Sequence, residues 1–205
     1  MPIDFSPYSL ADYFLIATPN LDDTYFSQSL VYICEHNAAG ALGLRVNEPL
    51  DISIDELLHR MHIDTPLGSL GDMPVLNGGP MQSERGFVLH EPQKRYMATL
   101  FVGETPQGFK SAMTTGRRAL STSKDILDSL GSDEAPEHFL LTLGYCAWGQ
   151  GQLEGEIADN DWLTVSAAKA GADVLWHTPP AGRWAAAMKL LGVQAWQISA
   201  KAGRA

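Results

Sequence analysis

The chain has 205 residues, of which 45% are hydrophobic and 19% are charged, a composition typical of a globular protein that buries its own core. Its 14 basic residues oppose 24 acidic ones, and the net charge of −10 disfavours direct binding to the phosphates of DNA or RNA. No run of about 20 apolar residues predicts a membrane span. Both cysteines lie in apolar runs, and the first residues lack the basic and apolar regions of a signal peptide, so we predict a cytoplasmic protein.

The first recognisable elements along the chain form a β-hairpin. Residues 30–34 are a continuous apolar run rich in β-branched and aromatic side chains, which is typical of a strand buried on both faces. Residues 36–40 have turn chemistry, and residues 41–46 then alternate as a second strand. Gly43, in the middle of this second strand, indicates a bulge or the close approach of another part of the chain.

The next segment combines a short helix with further strands. Ser53 and Glu56 have capping-box spacing and predict a helix that continues to about Met61. Residues 66–74 are loop-like, and residues 77–80 (Asn-Gly-Gly-Pro) predict a tight turn. Two further strands are predicted at residues 86–90 and 96–102.

The second half of the chain alternates helices and strands without a regular βαβ rhythm. Thr122 and Asp125 have capping-box spacing, so a helix is predicted at residues 122–130, with Gly131 ending it. The other predicted elements are a central strand at 139–148, a short helix at 154–157, a strand at 162–165 and a last helix at 183–191 that Thr178 and two prolines open. Together they predict one α+β domain over residues 1–205, with a mixed sheet.

Cys34, Glu35 and His36 are the candidate catalytic residues. Positions 34 and 36 of a regular strand share a face about 7 Å apart, where an imidazole can activate a thiol. Glu35 and His36 can also act as a general acid and base at the rim of a pocket. A cysteine in an apolar run more often packs as a small hydrophobe, and His36 can equally cap the turn, so we favour a structural role for all three.

No motif predicts a metal or a cofactor. His59 and His62 have helical i, i+3 spacing but lack further ligands nearby, and the 77–80 turn lacks the pattern of a phosphate-binding loop. The short helix near residue 154 ends in an acidic cluster that can in principle hold Mg²⁺, although dense surface carboxylates are usually solvated: Glu154, Glu156, Asp159 and Asp161. We therefore predict no cofactor and no metal.

Residues 143–157 place aromatic and amide side chains around three glycines. Tyr145, Trp148 and Gln152 suit a shallow binding surface, where aromatic edges and backbone amides are accessible. The same composition suits a tight strand-to-helix turn that packs Trp148 into the core, and we favour this second interpretation.

Taken in order, eight stretches of the chain resemble the AlgH/YqgE family of bacterial proteins: residues 15–19, 35–36, 40–49, 78–80, 86–90, 122–127, 143–154, and 183–184 with 191–192. The resemblance implies a mixed sheet curled into a partly open barrel, with helices packed outside, but no particular biochemical activity. Arg45 departs from the family pattern, which more typically has an aliphatic residue there. We expect either that its face is solvated or that a carboxylate such as Glu35 pairs with it. AlgH is also associated with transcriptional regulation, for which this sequence offers no DNA-binding element.

These observations favour a non-catalytic binding or regulatory module for a protein or a small ligand. The first alternative is a hydrolase or thiol-dependent enzyme that uses Cys34, Glu35 and His36, and the second is a transcriptional regulator. Neither nucleic acid nor a membrane is an expected partner, and the sequence favours no oligomeric state. The residues predicted to contact the ligand or partner are Glu35, His36, Asn47, Gly78, Gly79, Tyr145, Trp148 and Gln152.

Overall fold

The fold is built on a ten-stranded sheet, seen in a computed structural model that describes residues 9–19, 21, 24–63, 70–103, 117–168 and 170–192. The strands are β1 (Tyr13–Ala17), β2 (Leu30–Asn37), β3 (Gly40–Arg45), β4 (Pro49–Ser53), β5 (Pro74–Asn77), β6 (Met81–His90), β7 (Thr99–Phe101), β8 (Ala119–Ser121), β9 (Phe139–Gly149) and β10 (Trp162–Ser166). The helices are α1 (Ile54–Arg60), α2 (Lys124–Ser129), α3 (Gln152–Ala158) and α4 (Pro180–Leu190), with a 3₁₀ turn at Thr24–Phe26 and a π-helical turn at Asp173–His177.

The strands follow the order β10-β1-β2-β3-β9-β6-β8-β7. Outside this order, β5 pairs with β9, and β4 pairs with β5. All pairings are antiparallel except that of β5 with β9, so the sheet is mixed. It curls into a half-barrel, which confirms the predicted α+β class. Strand β9 pairs with β3, β5 and β6, and this central position explains its nearly continuous apolar sequence.

Helices cover both faces of the curled sheet. On one face, α4 contributes Ala187 and Met188 to a core shared with side chains from most of the strands. On the opposite face, α1 and α2 cover one apolar cluster, and α3 covers a second cluster through Leu153. Within the described residues, no helix has the length and apolar character needed to cross a bilayer.

The predicted hairpin is present as β2 and β3, but it contains a β-bulge at Cys34. Ile33 lies opposite Gly43 and Glu35 lies opposite Leu42, so Cys34 has no partner across the hairpin. Because of this extra residue, the side chains after Cys34 point to the opposite faces of the sheet from those that regular alternation would give. Cys34 packs in the core under α4, whereas His36, opposite Ala41, lies on the α3 face. The prediction that residues 34 and 36 share a face is therefore wrong.

Arg45 fits neither of its two predicted environments. Its side chain is only 3% exposed, so its face is not solvated. Its Nη1 donates to the Tyr25 carbonyl at 2.7 Å, its Nε donates to the Asn77 carbonyl at 3.2 Å, and its guanidinium lies 4.3 Å from the centre of the Tyr25 ring. Carbonyl oxygens and an aromatic face thus replace the expected carboxylate. Glu35 instead accepts a hydrogen bond from the Asn37 side chain.

The helix starts were predicted with mixed success. Ser53 caps α1 as predicted, because its hydroxyl accepts from the Glu56 amide at 3.1 Å. The capping box predicted for α2 is wrong. Thr122 accepts a hydrogen bond from Arg85, and the Asp125 carboxylate accepts from the Met97 amide. Thr122 therefore links the segment before α2 to β6, and Asp125 links α2 to the loop that precedes β7.

Other differences concern strands and loops. Helix α4 starts earlier than predicted, at Pro180, and its N-cap residue is Pro179, so the Thr178 cap is wrong. Strands β1, β4, β5 and β8 were not predicted. The prediction that Gly131 ends α2 is confirmed, since this glycine follows the helix end with a positive φ of 79°. Part of the predicted 66–74 loop, residues 66–69, lies outside the described residues.

His90 gives the fold a testable pH dependence. Burial lowers the pKa of its imidazole from 6.5 to about 4, and a hydrogen bond with the Glu91 carbonyl opposes this shift in part. Below pH 6.5, His90 therefore binds a proton in the unfolded chain, whereas in the folded chain it stays neutral until the pH falls to about 4. We expect His90 to contribute full stability above pH 6.5 and to destabilise the fold by up to about 3 kcal/mol as the pH falls towards 4.

The measurement is the free energy of unfolding in urea between pH 4 and pH 7. His90→Gln is expected to flatten this pH dependence, because it removes the group that titrates only in the unfolded chain. His62→Gln, at an exposed histidine, is the matched control and should retain the wild-type slope. Parallel curves for wild type and His90→Gln would contradict the assignment.

Candidate functional site

A pocket of about 300 Å³ opens where residues 17–49 meet residues 143–157. The first segment contributes Phe26, the second contributes Trp148, Gln152 and Glu156, and β10 contributes Trp162. The rest of its wall is mostly apolar, with a half-exposed methionine at the start of β6, and it also includes the carboxylate residue Asp161. We call this cavity the Trp148 pocket. It brings together the two segments that carry most of the predicted contact residues.

The turn from β9 into α3 positions one side of the Trp148 pocket. Gly151 has a positive φ of 73°, which reverses the chain, and the Gly149 amide donates to the Gln152 side chain at 3.0 Å. Helix α3 thereby folds back over the sheet. Trp148 is only 6% exposed, which confirms the interpretation of residues 148–152 as a tight turn that packs this ring into the core.

A single carboxylate organises the aromatic part of the pocket. One oxygen of Glu156 accepts hydrogen bonds from the indole N–H groups of Trp148 and Trp162, each at 2.8 Å. Its other oxygen accepts from the Gln152 side-chain amide at 2.9 Å. The two indole rings meet edge to face with centroids 6.1 Å apart, and Phe26 packs against Trp162 at 5.7 Å. Glu156 thus fixes the orientation of both tryptophans.

Sequence reasoning missed the role of Glu156, although a signal was present. A buried tryptophan normally needs an acceptor for its indole N–H, and two tryptophans flank the acidic cluster. The sequence favours a solvated surface for this cluster, with a magnesium site as the alternative. In the structure, Glu156 binds indoles and Glu154 binds His36. Within the described residues, no group of three or more metal-ligating side chains is arranged to hold an ion.

His36 is buried beside α3 with both ring nitrogens engaged. Its Nδ1 accepts a hydrogen bond from the Leu10 amide at 2.9 Å, so the proton of the neutral ring is on Nε2. Nε2 donates to Glu154 at 3.0 Å. This arrangement ties the hairpin to α3 and leaves no ring nitrogen available to take a proton from a nucleophile.

The structure does not bring Cys34 and His36 together. Cys34 is 1% exposed on the α4 face, and burial raises the pKa of its thiol well above the usual range. Cys146 lines the Trp148 pocket, where burial raises its pKa to about 12 and its Sγ donates to the Gly78 carbonyl at 3.3 Å. Neither environment favours the thiolate that a nucleophilic cysteine requires.

Asn47, Gly78 and Gly79 lie behind the pocket, where different segments of the chain pack closely against each other. The Asn47 side chain accepts from the Leu30 amide and donates to the Gln28 carbonyl, each at 2.8 Å. Gly78 and Gly79 are buried and run against β9, where a Cβ on Gly79 would lie 2.5 Å from the Cys146 amide nitrogen. These residues position the pocket wall at Pro80 and Met81.

Tyr145 and Glu35 lie on the side of the sheet opposite Trp148. Tyr145 packs against Phe87 with ring centroids 5.1 Å apart, in a separate groove. Glu35 is exposed opposite Leu42, which packs against the α4 core. Of the predicted contact residues, the Trp148 pocket therefore contains Trp148 and Gln152. His36, Asn47, Gly78 and Gly79 lie beside or behind the pocket without lining it. Tyr145 and Glu35 lie on the opposite side of the sheet.

Comparison with known proteins identifies the family of this chain. The AlgH-like family model matches residues 14–196. UPF0301 proteins from Variovorax paradoxus and from an Acidovorax species are each 44% identical to this chain, with full coverage of both sequences. The solution structure of the AlgH protein from Pseudomonas aeruginosa is 38% identical, covers 98% of each chain and superposes with a TM-score of 0.73. A Corynebacterium diphtheriae protein, 18% identical with a TM-score of 0.59, has the same fold. The chain belongs to the AlgH-like family.

Proposed function

We propose that this protein is a non-catalytic binding module whose Trp148 pocket recognises a partner that carries a basic group. The observation that carries the proposal is the convergence of residues 17–49 and 143–157 on one concave pocket with an ordered carboxylate in it. Concave sites with apolar walls and a few fixed polar groups are typical of ligand binding.

The chemistry of the lining favours a cation. Glu156 is an acceptor held in place by three N–H donors, and the surrounding walls are the rings of Phe26, Trp148 and Trp162. An ammonium or guanidinium group gains both from a carboxylate and from neighbouring aromatic rings. The net charge of −10 additionally attracts basic partners over longer distances.

The alternatives have weaker support. A thiol enzyme needs a reactive Cys34 near a free imidazole, whereas Cys34 is buried on one face and His36 is fully hydrogen-bonded on the other. A regulator that contacts DNA directly must overcome the negative charge of the chain. We also infer a cytoplasmic location, which two buried and unpaired cysteines favour.

The pocket proposal is tested with butylammonium as the probe and NMR as the measurement. The indole N–H signals of Trp148 and Trp162 report directly on Glu156, and we expect butylammonium to shift them while butanol does not. Met81→Lys places a cation at the pocket wall, at a side chain that is 45% exposed, so it should weaken butylammonium binding at least threefold by charge repulsion. A pull-down with the same variants then tests whether the partner is a protein.

Met97→Lys is the matched control. It makes the same substitution at a side chain that is 89% exposed and does not line the pocket, so it should bind like wild type. Equal shifts by butanol and butylammonium would contradict recognition of a basic group. Equal binding by both lysine variants would contradict the location.

A further inference from the structure

A second groove, which we call the Arg85 groove, lies on the sheet face opposite the Trp148 pocket. It has a volume of about 420 Å³ and crosses strands β3, β9, β6, β8 and β7. Its apolar surface comes from Leu42, Phe87, Leu100 and Leu120. A cavity of this size and character is within the range that holds small organic ligands.

Arg85 is a cation at the rim of this groove whose charge is not neutralised by a neighbouring carboxylate. Its Nη2 donates to the Thr122 hydroxyl at 3.1 Å and its Nη1 donates to the Gln82 side-chain oxygen at 3.4 Å, so both partners are neutral. Among the described residues, no ion pair includes it. A guanidinium has five N–H donors, and Arg85 therefore retains donors for a ligand.

Tyr145 adds a second side chain with a polar group to the lining of the groove. Its ring packs 5.1 Å from that of Phe87, and the guanidinium of Arg85 lies 5.7 Å from the centre of the Phe87 ring. Within the described part of the chain, the Tyr145 hydroxyl makes no hydrogen bond, although the side chain is half-buried. The groove thus combines a cation, a free hydroxyl and apolar walls.

Two irregularities in the strands direct these side chains to the same face. The register of β6 against β9 shifts between Met81 and Gly86, and Gly144 in β9 has a positive φ of 76°. Bulges of this kind reorient side chains, and they often do so next to functional sites. The regular alternation of β9 would place Tyr145 with Leu141 on the α1–α2 face, whereas it packs with the core on the opposite face.

We propose that the Arg85 groove binds a small organic carboxylate with an apolar body. One guanidinium neutralises a single negative charge and can hold a carboxylate through two parallel hydrogen bonds. The leucine and phenylalanine side chains bury the apolar body, and the Tyr145 hydroxyl can add a hydrogen bond. Because the net charge of −10 repels anions at a distance, selection depends on local contact with Arg85.

The test is titration of the full chain with octanoate, followed by calorimetry and by NMR shifts, with octanol as the uncharged comparison. We expect octanoate to bind and to shift signals of residues lining the groove, with octanol at least tenfold weaker. Arg85→Gln should weaken octanoate binding at least tenfold, and Tyr145→Phe should weaken it two- to fivefold. Arg60→Gln removes the same charge from an exposed site on α1 and should bind like wild type.

Several outcomes would overturn the proposal. If octanol bound as tightly as octanoate, the groove would recognise only the apolar body of the ligand. If Arg85→Gln bound octanoate as tightly as wild type, the guanidinium would not be the group that binds the carboxylate. Shifts confined to the Trp148 pocket, or no octanoate binding at millimolar concentration, would also overturn it. Because the two sites lie on opposite faces, these results do not depend on the outcome of the butylammonium experiment.

Discussion

Replacing Gly79 with alanine is expected to lower the free energy of unfolding by more than about 4 kcal/mol, or to prevent folding altogether. The added Cβ would lie 2.5 Å from the Cys146 amide nitrogen, and this neighbour is backbone in the central strand, which cannot rotate away. In addition, Gly79 has a φ of 151°, a conformation that side chains with a Cβ rarely adopt. The measurement is urea unfolding followed by tryptophan fluorescence, or soluble yield where no folded protein is obtained.

Gly155→Ala is the control for this substitution. Gly155 lies inside α3, where a Cβ would meet nothing within 4 Å, so alanine removes only the flexibility that glycine gives to the unfolded chain. We expect Gly155→Ala to raise the free energy of unfolding by about 0.5–1 kcal/mol. A Gly79→Ala protein of wild-type stability would mean that β9 and the 77–80 turn do not approach as closely as described.

Glu156→Ala is expected to lower the free energy of unfolding by about 3 kcal/mol. The substitution leaves the indole N–H groups of Trp148 and Trp162 without their acceptor, and each unsatisfied buried donor costs about 1–3 kcal/mol. It should also loosen the orientation of both rings. Urea unfolding gives the stability, and the indole N–H signals in NMR give the change around each ring.

Asp159→Ala removes a carboxylate from the end of the same helix, at an exposed position, and serves as the matched control. We expect it to change the free energy of unfolding by less than about 0.5 kcal/mol. Glu156→Gln retains one acceptor oxygen and should fall between the two. Equal stability of the Glu156→Ala and Asp159→Ala proteins would refute the structural role of Glu156.

Much of the fold follows from short-range sequence patterns. The run at residues 30–34, the turn after it and the long apolar run at 139–148 are local signals, and each predicted a strand that is present. Strands β1, β4, β5 and β8 were missed: they are only three to five residues long, and a pattern this short does not distinguish a strand from a loop. These residues form strands because they can hydrogen-bond with neighbouring strands of the sheet. A local sequence pattern contains no information about such neighbours.

The candidate site was harder to predict because its geometry depends on long-range contacts. The bulge at Cys34 exists only relative to β3, so the sequence of β2 alone placed Cys34 and His36 on one face. Arg45 is stabilised by the carbonyl and ring of Tyr25, twenty residues earlier. Trp148 and Gln152 lie in one continuous turn, so a local pattern singles them out, whereas the hydrogen bond of Glu156 with Trp162 depends on the packing of α3 against β10.

The position of β9 has a consequence for how the protein is made. Strands β3, β5 and β6 all end by residue 90, yet each needs β9, whose last residue is Gly149, as a pairing partner. During synthesis the edges of these strands that face β9 therefore stay unpaired until β9 is made, which takes roughly sixty further residues after β6 and more after β3 and β5, a delay of at least about 3–12 seconds at bacterial elongation rates. A nascent chain arrested before β9 should accordingly be an aggregation-prone species and a substrate for chaperones, and only release of β9 should allow the sheet to close.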